Sequence, residues 1–215
     1  MKNVRNFILA IIFLTSLKVS AQTPDQIDSD AAATSMMQNV QKMQEDMARL
    51  TALIPLTNEQ LKEWLPESLG ELKRISFSVG EQGHMGIGNV KATFNTTEEP
   101  EFVTSDTGGD EFNTNNKTFT IEVVDGAGPG AEIFSTTIMM ANMNMLSDDR
   151  NKEVKSVNIN GIEGQQTYHK QANKTSLYFI YQDRFGISVT GNHLNPEETS
   201  KYFEKFNLED LAPND

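Results

Sequence analysis

The chain has 215 residues, of which 30 are acidic and 18 basic, giving a net charge of −12, and it contains no cysteine. That charge opposes binding to nucleic acid and to anionic lipid surfaces. The missing thiols exclude disulfides, lipid attachment at a cysteine and thiolate zinc sites.

Residues 1–21 read as a secretory signal peptide: a basic start at Lys2 and Arg5, an apolar run from Phe7 to Leu17, and Val19-Ser20-Ala21 before Gln22. The run is too short to span a bilayer, which takes roughly twenty residues. Cleavage after Ala21 removes Lys2, Arg5 and Lys18 and no acid, leaving 15 basic against 30 acidic residues and a net charge of about −15. The expected location is periplasmic or secreted.

Residues 22–30 are polar, carry Pro24 and read as a linker, with Asp28, Ser29 or Asp30 available to cap the next element. An amphipathic helix is expected over 31–55. Met36, Val40, Met43, Met47, Leu50 and Ile54 are spaced four, three, four, three, four, a heptad seam. The seam either packs on the protein's own domain or joins two copies as a homodimer; a stretch under three heptads favours the first.

Pro55 ends that helix, and residues 56–215 read as one α+β domain. Thr57-Asn58-Glu59-Gln60 has capping-box spacing for a short helix that reaches Trp64 and stops before Pro66. Trp64, the only tryptophan, is expected to plug one end of the core. From Leu72 the apolar period becomes two. Ile75, Phe77 and Val79 fall on one strand and Ile87, Val90, Ala92 and Phe94 on the next, with a connection at Gly80 to Gly83. Thr96 to Asn116, rich in acids, reads as a long exposed loop.

Thr118 to Leu146 is the stretch around which the rest is organised. Phe119, Ile121 and Val123 alternate as a strand, Asp125 to Gly130 forms a glycine turn, and residues 131–146 form a helix. Its residues Ile133, Phe134, Ile138, Met139, Met140, Ala141, Met143 and Met145 are apolar nearly all round, so it is expected inside the fold. Four strands follow, Glu153 to Ile159, Ile162 to Lys170, Ser176 to Tyr181 and Gly186 to Gly191, with Asn160-Gly161 as a hairpin signal. A last helix opens at Asn195-Pro196-Glu197-Glu198 and buries Tyr202, Phe203 and Phe206. The expected class is α+β: a mostly antiparallel sheet in the order βββ-α-ββββ-α with helices packed on one face, preceded by the heptad-patterned helix.

Leu61, Trp64-Leu65-Pro66, Leu69, Leu72-Lys73-Arg74, the strand and turn at Thr120 to Gly130, Asn160-Gly161 and Arg184-Phe185-Gly186 together resemble a loosely defined family of small exported bacterial envelope proteins. The resemblance covers Thr57 to Leu211 and implies the fold and the compartment, with no catalytic residue attached. The strand and helix order is also similar to that of small antiparallel α+β folds such as the photosystem PsbP family, an analogy of fold alone.

Few residues stand out as chemistry. Gly126-x-Gly128-x-Gly130 before a helix is the form of a weak anion site, but its spacing is that of neither a dinucleotide nor a Walker loop, and a structural turn is the simpler reading. The acidic loop 98–111 offers Asp106, Asp110 and Glu111 as Ca²⁺ ligands, without the EF-hand order. The Met139 to Met145 cluster offers thioethers for Cu(I), although methionine in an apolar helix is usually core filler. His84, His169 and His193 lie in no H-x-x-x-H pattern and beside no nucleophile elbow. The expectation is an exported, non-enzymatic envelope protein with no cofactor, a module binding an unknown protein or small ligand. The alternatives are a Ca²⁺-dependent or hydrolytic envelope enzyme using the acidic loop, and a periplasmic Cu(I)-handling protein.

Overall fold

The computed structural model describes residues 24–83, 86–96, 102–104, 110–112, 116–134 and 147–211. The expected signal peptide, His84, Asp106 and residues 135–146 of the expected central helix lie outside them. The chain divides into two compact units, Met1–Lys42 and Met43–Asp215. No described helix is long and apolar enough to cross a membrane.

Helix α1 (Pro24–Ala52) starts earlier than the pattern suggests, so residues 24–30 are helical rather than a linker; proline is suited to a first helical turn. Along the heptad seam Val40 is 42% exposed, Met43 and Met47 are half-buried, and Leu50 is fully buried. Ile54 does not belong to the seam. The helix stops at Ala52, and Pro55 disfavours helical backbone at the residue before it, which leaves Ile54 86% exposed.

Helix α2 (Asn58–Trp64) carries the full capping box: Thr57 Oγ1 accepts from Gln60 N at 3.2 Å, and Gln60 Oε1 accepts from Thr57 N at 2.9 Å. The strands are β1 (Ser68–Leu69), β2 (Leu72–Val79), β3 (Gly88–Asn95), β4 (Phe102–Thr104), β5 (Asp110–Phe112), β6 (Thr118–Asp125), β7 (Ser147–Asp148), β8 (Lys152–Ile159), β9 (Ile162–His169), β10 (Lys174–Tyr181) and β11 (Phe185–Asn192). Nine of them form one sheet in the order β1-β2-β3-β6-β11-β10-β9-β8-β7, with every neighbouring pair antiparallel. The fold is α+β with an antiparallel sheet. β4 and β5 pair as a separate hairpin, so the region expected as plain loop contains a small ribbon.

Cross-strand partners share a face of a sheet. The rows Val90–Val123–Ile187–Phe179 and Ala92–Ile121–Val189–Leu177 lie on one face and build the main core. Against them pack α2, helix α3 (Pro196–Phe203) and residues 206–211. Phe179 stacks on Phe203 at 4.7 Å, Phe206 packs against both Phe94 and Phe119 at 6.0 Å, and Trp64 closes that end 5.2 Å from Phe206, its indole donating to Asn207 O. α3 can come this close because Gly191 has no side chain: a Cβ there would meet Thr199 Oγ1 at 2.4 Å.

The intervening row, Val124–Gly186–Ile180, faces the other way. Leu50 and Leu53, from the end of α1 and the loop after it, gather there with Ala131 and Phe134 of the helical residues 131–134. Helical segments therefore pack on both faces, not on one. The strand β6 alternates buried and half-buried residues because the second face is only partly covered.

A second correction concerns β2. Ile75 and Phe77, expected inward, are 37% and 44% exposed. The register slips between Arg74 and Ser76, leaving Ile75 as an extra residue in the strand, and β2 runs along the rim of the sheet where the core thins out.

Candidate functional site

Three features gather polar or exposed groups in a defined geometry. The first is the glycine turn after β6. Asp125, fully buried, takes Arg184 in a two-point pair, with Nε to Oδ1 and Nη2 to Oδ2 both at 2.8 Å. The same carboxylate accepts Ala127 N at 3.0 Å and Leu56 N at 2.8 Å, and Arg184 Nη2 also donates to Ile54 O at 3.0 Å. One ion pair thus ties the loop after α1, the end of β6 and the start of β11. The turn has no room for an anion: a Cβ at Gly128, whose φ is +73°, would meet Pro55 Cγ at 2.6 Å, and one at Gly130 would meet Ile87 Cγ1 at 2.5 Å. Its role is packing, in line with the simpler reading of these glycines.

The second feature is an open groove of about 610 Å³ between the β1–β2 turn and α3, lined by Gly70, Glu71, Glu198, Lys201, Tyr202, Glu204 and Lys205. Asn195 caps α3, and Glu198 returns the bond to Asn195 N while its other oxygen accepts from Lys117 Nζ at 2.7 Å. Tyr202 donates to Glu71 at 2.9 Å. Burial, then the bond to Glu71, pushes the Tyr202 phenol up to about 12. The hydrogen bond from Lys117 holds the Glu198 carboxyl below the ordinary carboxylate range. A general acid or base works best with a pKa near the operating pH, and these two groups are moved away from neutrality in opposite directions.

The third feature is the outer rim of β2. Phe77 stands 44% exposed with Lys62 Nζ 5.5 Å and Arg74 Cζ 5.2 Å from its ring centre. The period of two assigns Phe77 to the core face correctly, opposite Ala92, but only the edge position reveals that the ring stays partly exposed there.

Of the residues singled out beforehand, Asp110 and Glu111 are consecutive positions of β5, while Asp106 and the Met139 to Met145 cluster lie outside the described residues. His169 ends β9, exposed, and His193 follows β11 with φ +54°. Among the described residues no three acidic or histidine side chains are placed to hold a metal ion. The Asp125–Arg184 pair carried only a faint signal: an acid closing an apolar strand, and an arginine opening another 59 positions later.

Comparison with protein-family models, with curated proteins and with solved structures finds no match.

Proposed function

We propose that this protein is an exported, non-enzymatic component of the cell envelope, acting in the periplasm or outside the cell as a binding module for a protein or small ligand. The observation that carries the reading is the β2 rim, where Phe77, on the same face as Ala92 but at the thin edge of the core, is left 44% exposed with the cations of Lys62 and Arg74 near its ring. Exposed aromatic and arginine side chains on a fixed scaffold are characteristic of recognition surfaces. The signal-peptide pattern and the resemblance to small exported envelope proteins support the compartment, and the resemblance also supports the finer order βββ-α-ββββ-α behind a heptad-patterned helix.

The same reading includes a second copy along α1. On the seam Val40 is 42% exposed while Leu50 is fully buried, so the stripe is covered at its Leu50 end and open at Val40. In a dimer Met36, Val40 and Met43 would pair with their counterparts. Fractionation of cells expressing the full chain, combined with photo-crosslinking from Val40, Ile54 and Phe77 in turn, tests the proposal. Recovery in the envelope fraction with a defined crosslinked species from at least one position is expected; a cytoplasmic protein without crosslinks from all three would overturn it.

A further inference from the structure

The β2 rim is also an open main-chain edge. β1 and Glu67 cover β2 only as far as Arg74, whose N–H donates to Glu67 O at 2.9 Å. Gly80 N donates inward to Asn89 O, which fixes the phase of the antiparallel ladder: Ser76 and Ser78 turn their main chain toward β3, and Phe77 and Val79 turn theirs away. Among the described residues no hydrogen bond reaches Phe77 or Val79 from the outer side. The residues beyond the covered part, Ile75-Ser76-Phe77-Ser78-Val79, are uncharged and suited to strand pairing. The opposite edge strand, β8, differs: where β7 leaves it uncovered it carries Lys155 and Asn158, both exposed.

Charge decides what fits. The charged groups at the Phe77 ring are the cations Lys62 and Arg74, 5.5 and 5.2 Å from its centre, in a chain whose net charge is −12, whereas Lys91 lies on the other face opposite Glu122. Two copies paired edge to edge through β2 would bring two such clusters of cations toward each other. Cations on an open edge are a known device against self-pairing. The same cations attract carboxylates.

We propose that the edge of β2 receives, by strand addition, an extended segment of a partner polypeptide that alternates carboxylates with apolar or aromatic side chains. Its main chain would pair with the N–H and C=O groups of Phe77 and Val79, an apolar side chain would cover the Phe77 ring, and its carboxylates would meet Lys62 and Arg74. This rests on the binding-module reading and names the chemistry of the partner.

The test uses the full mature chain and two blocked heptapeptides, one alternating glutamate with valine and phenylalanine, the other with lysine in place of every glutamate. Amide hydrogen exchange followed by NMR is read at Phe77 and Val79. The glutamate peptide should slow both amides saturably and the lysine peptide should not; Lys62→Glu and Phe77→Ala should each weaken binding by roughly tenfold. No protection by either peptide, or equal protection by both, overturns the proposal. So does protection of the two amides that rises with protein concentration alone, which would assign the edge to a second copy. A negative peptide result beside crosslinks from Val40 or Ile54 removes this inference and leaves the binding-module reading standing; loss of all crosslinks removes both.

Discussion

Arg184 grips Asp125 through two 2.8 Å hydrogen bonds in a site where the carboxylate is wholly shielded from water, although 59 residues separate them. Every remaining lone-pair direction of that carboxylate is directed at a main-chain N–H, from Leu56 and Ala127, so the charge is both paired and solvated by the protein. Removing one partner strands the other in a dry site. Arg184→Ala or Asp125→Ala should therefore cost about 3–5 kcal/mol in urea denaturation, whereas the double change Asp125→Leu with Arg184→Met should cost less than the sum of its two singles. A loss below about 1 kcal/mol for Arg184→Ala would show that the pair is dispensable.

The glycine turn beside this pair makes a steric prediction. A Cβ on Gly126 would lie 2.1 Å from Phe134 Cδ1, inside the ring's van der Waals boundary, and the ring sits in the small cluster with Leu50 and Ala131. Gly126→Ala should destabilise the protein by roughly 1–3 kcal/mol through overpacking. Phe134→Leu should recover part of that loss when combined with it. Additive losses in the double mutant, seen in the same urea titration, would mean that the strain lies elsewhere.

Acid and alkali should weaken the α3 end of the molecule for separate reasons. Glu198 titrates below its ordinary 4.5 when folded, chiefly because of Lys117, so its contribution is complete above pH 4.5 and is lost as pH falls through the folded value. Tyr202 titrates near 12 against 10 unfolded, first through burial and then through Glu71, so its contribution is complete below pH 10 and is lost as pH rises toward 12. Glu198→Gln keeps a side chain able to complete the cap but loses the pair with Lys117. It should lower the urea midpoint at pH 7 and match the parent once both forms of the carboxyl are protonated. Absorbance titration should show one phenol near 12 that Tyr202→Phe removes. Parent and Glu198→Gln curves that stay parallel into strong acid would contradict the assignment.

How far the sequence reveals this architecture depends on how local each determinant is. The capping boxes at Thr57 and Asn195 and the turn at Asn160-Gly161 involve neighbours a few residues apart, and each is legible as a spacing. Strand periodicity places Phe119, Ile121 and Val123 in the core because β6 is central and flanked on both sides. The same periodicity overestimates the burial of Ile75 and Phe77: a bulge takes Ile75 out of phase, and Phe77, though opposite Ala92, lies at the rim, and alternation describes a strand and not its position in the sheet. The second apolar face is hidden for a similar reason: Val124, Gly186 and Ile180 come from three strands whose alignment exists only after folding. Of the candidate site, the glycines were visible but their closure by Pro55 and Ile87 was not, because those contacts span more than 40 residues.

The heptad seam gives the last prediction, because its two ends have different surroundings. Leu50 is buried against Ala131 and Phe134, and truncating such a side chain removes transfer energy and leaves a cavity. Leu50→Ala should cost about 2–5 kcal/mol in urea denaturation. Val40, on the same stripe but 42% exposed, buries too little in the single chain for its loss to matter there, so Val40→Ser should stay within about 0.5 kcal/mol. If a second copy docks along this helix, the same Val40→Ser change should lower the sedimentation-derived dimer fraction while leaving the urea midpoint of dilute protein in place. A Val40→Ser variant as destabilised as Leu50→Ala would mean that the whole seam is internal packing, and a dimer fraction unmoved by it would place any self-association elsewhere on the surface.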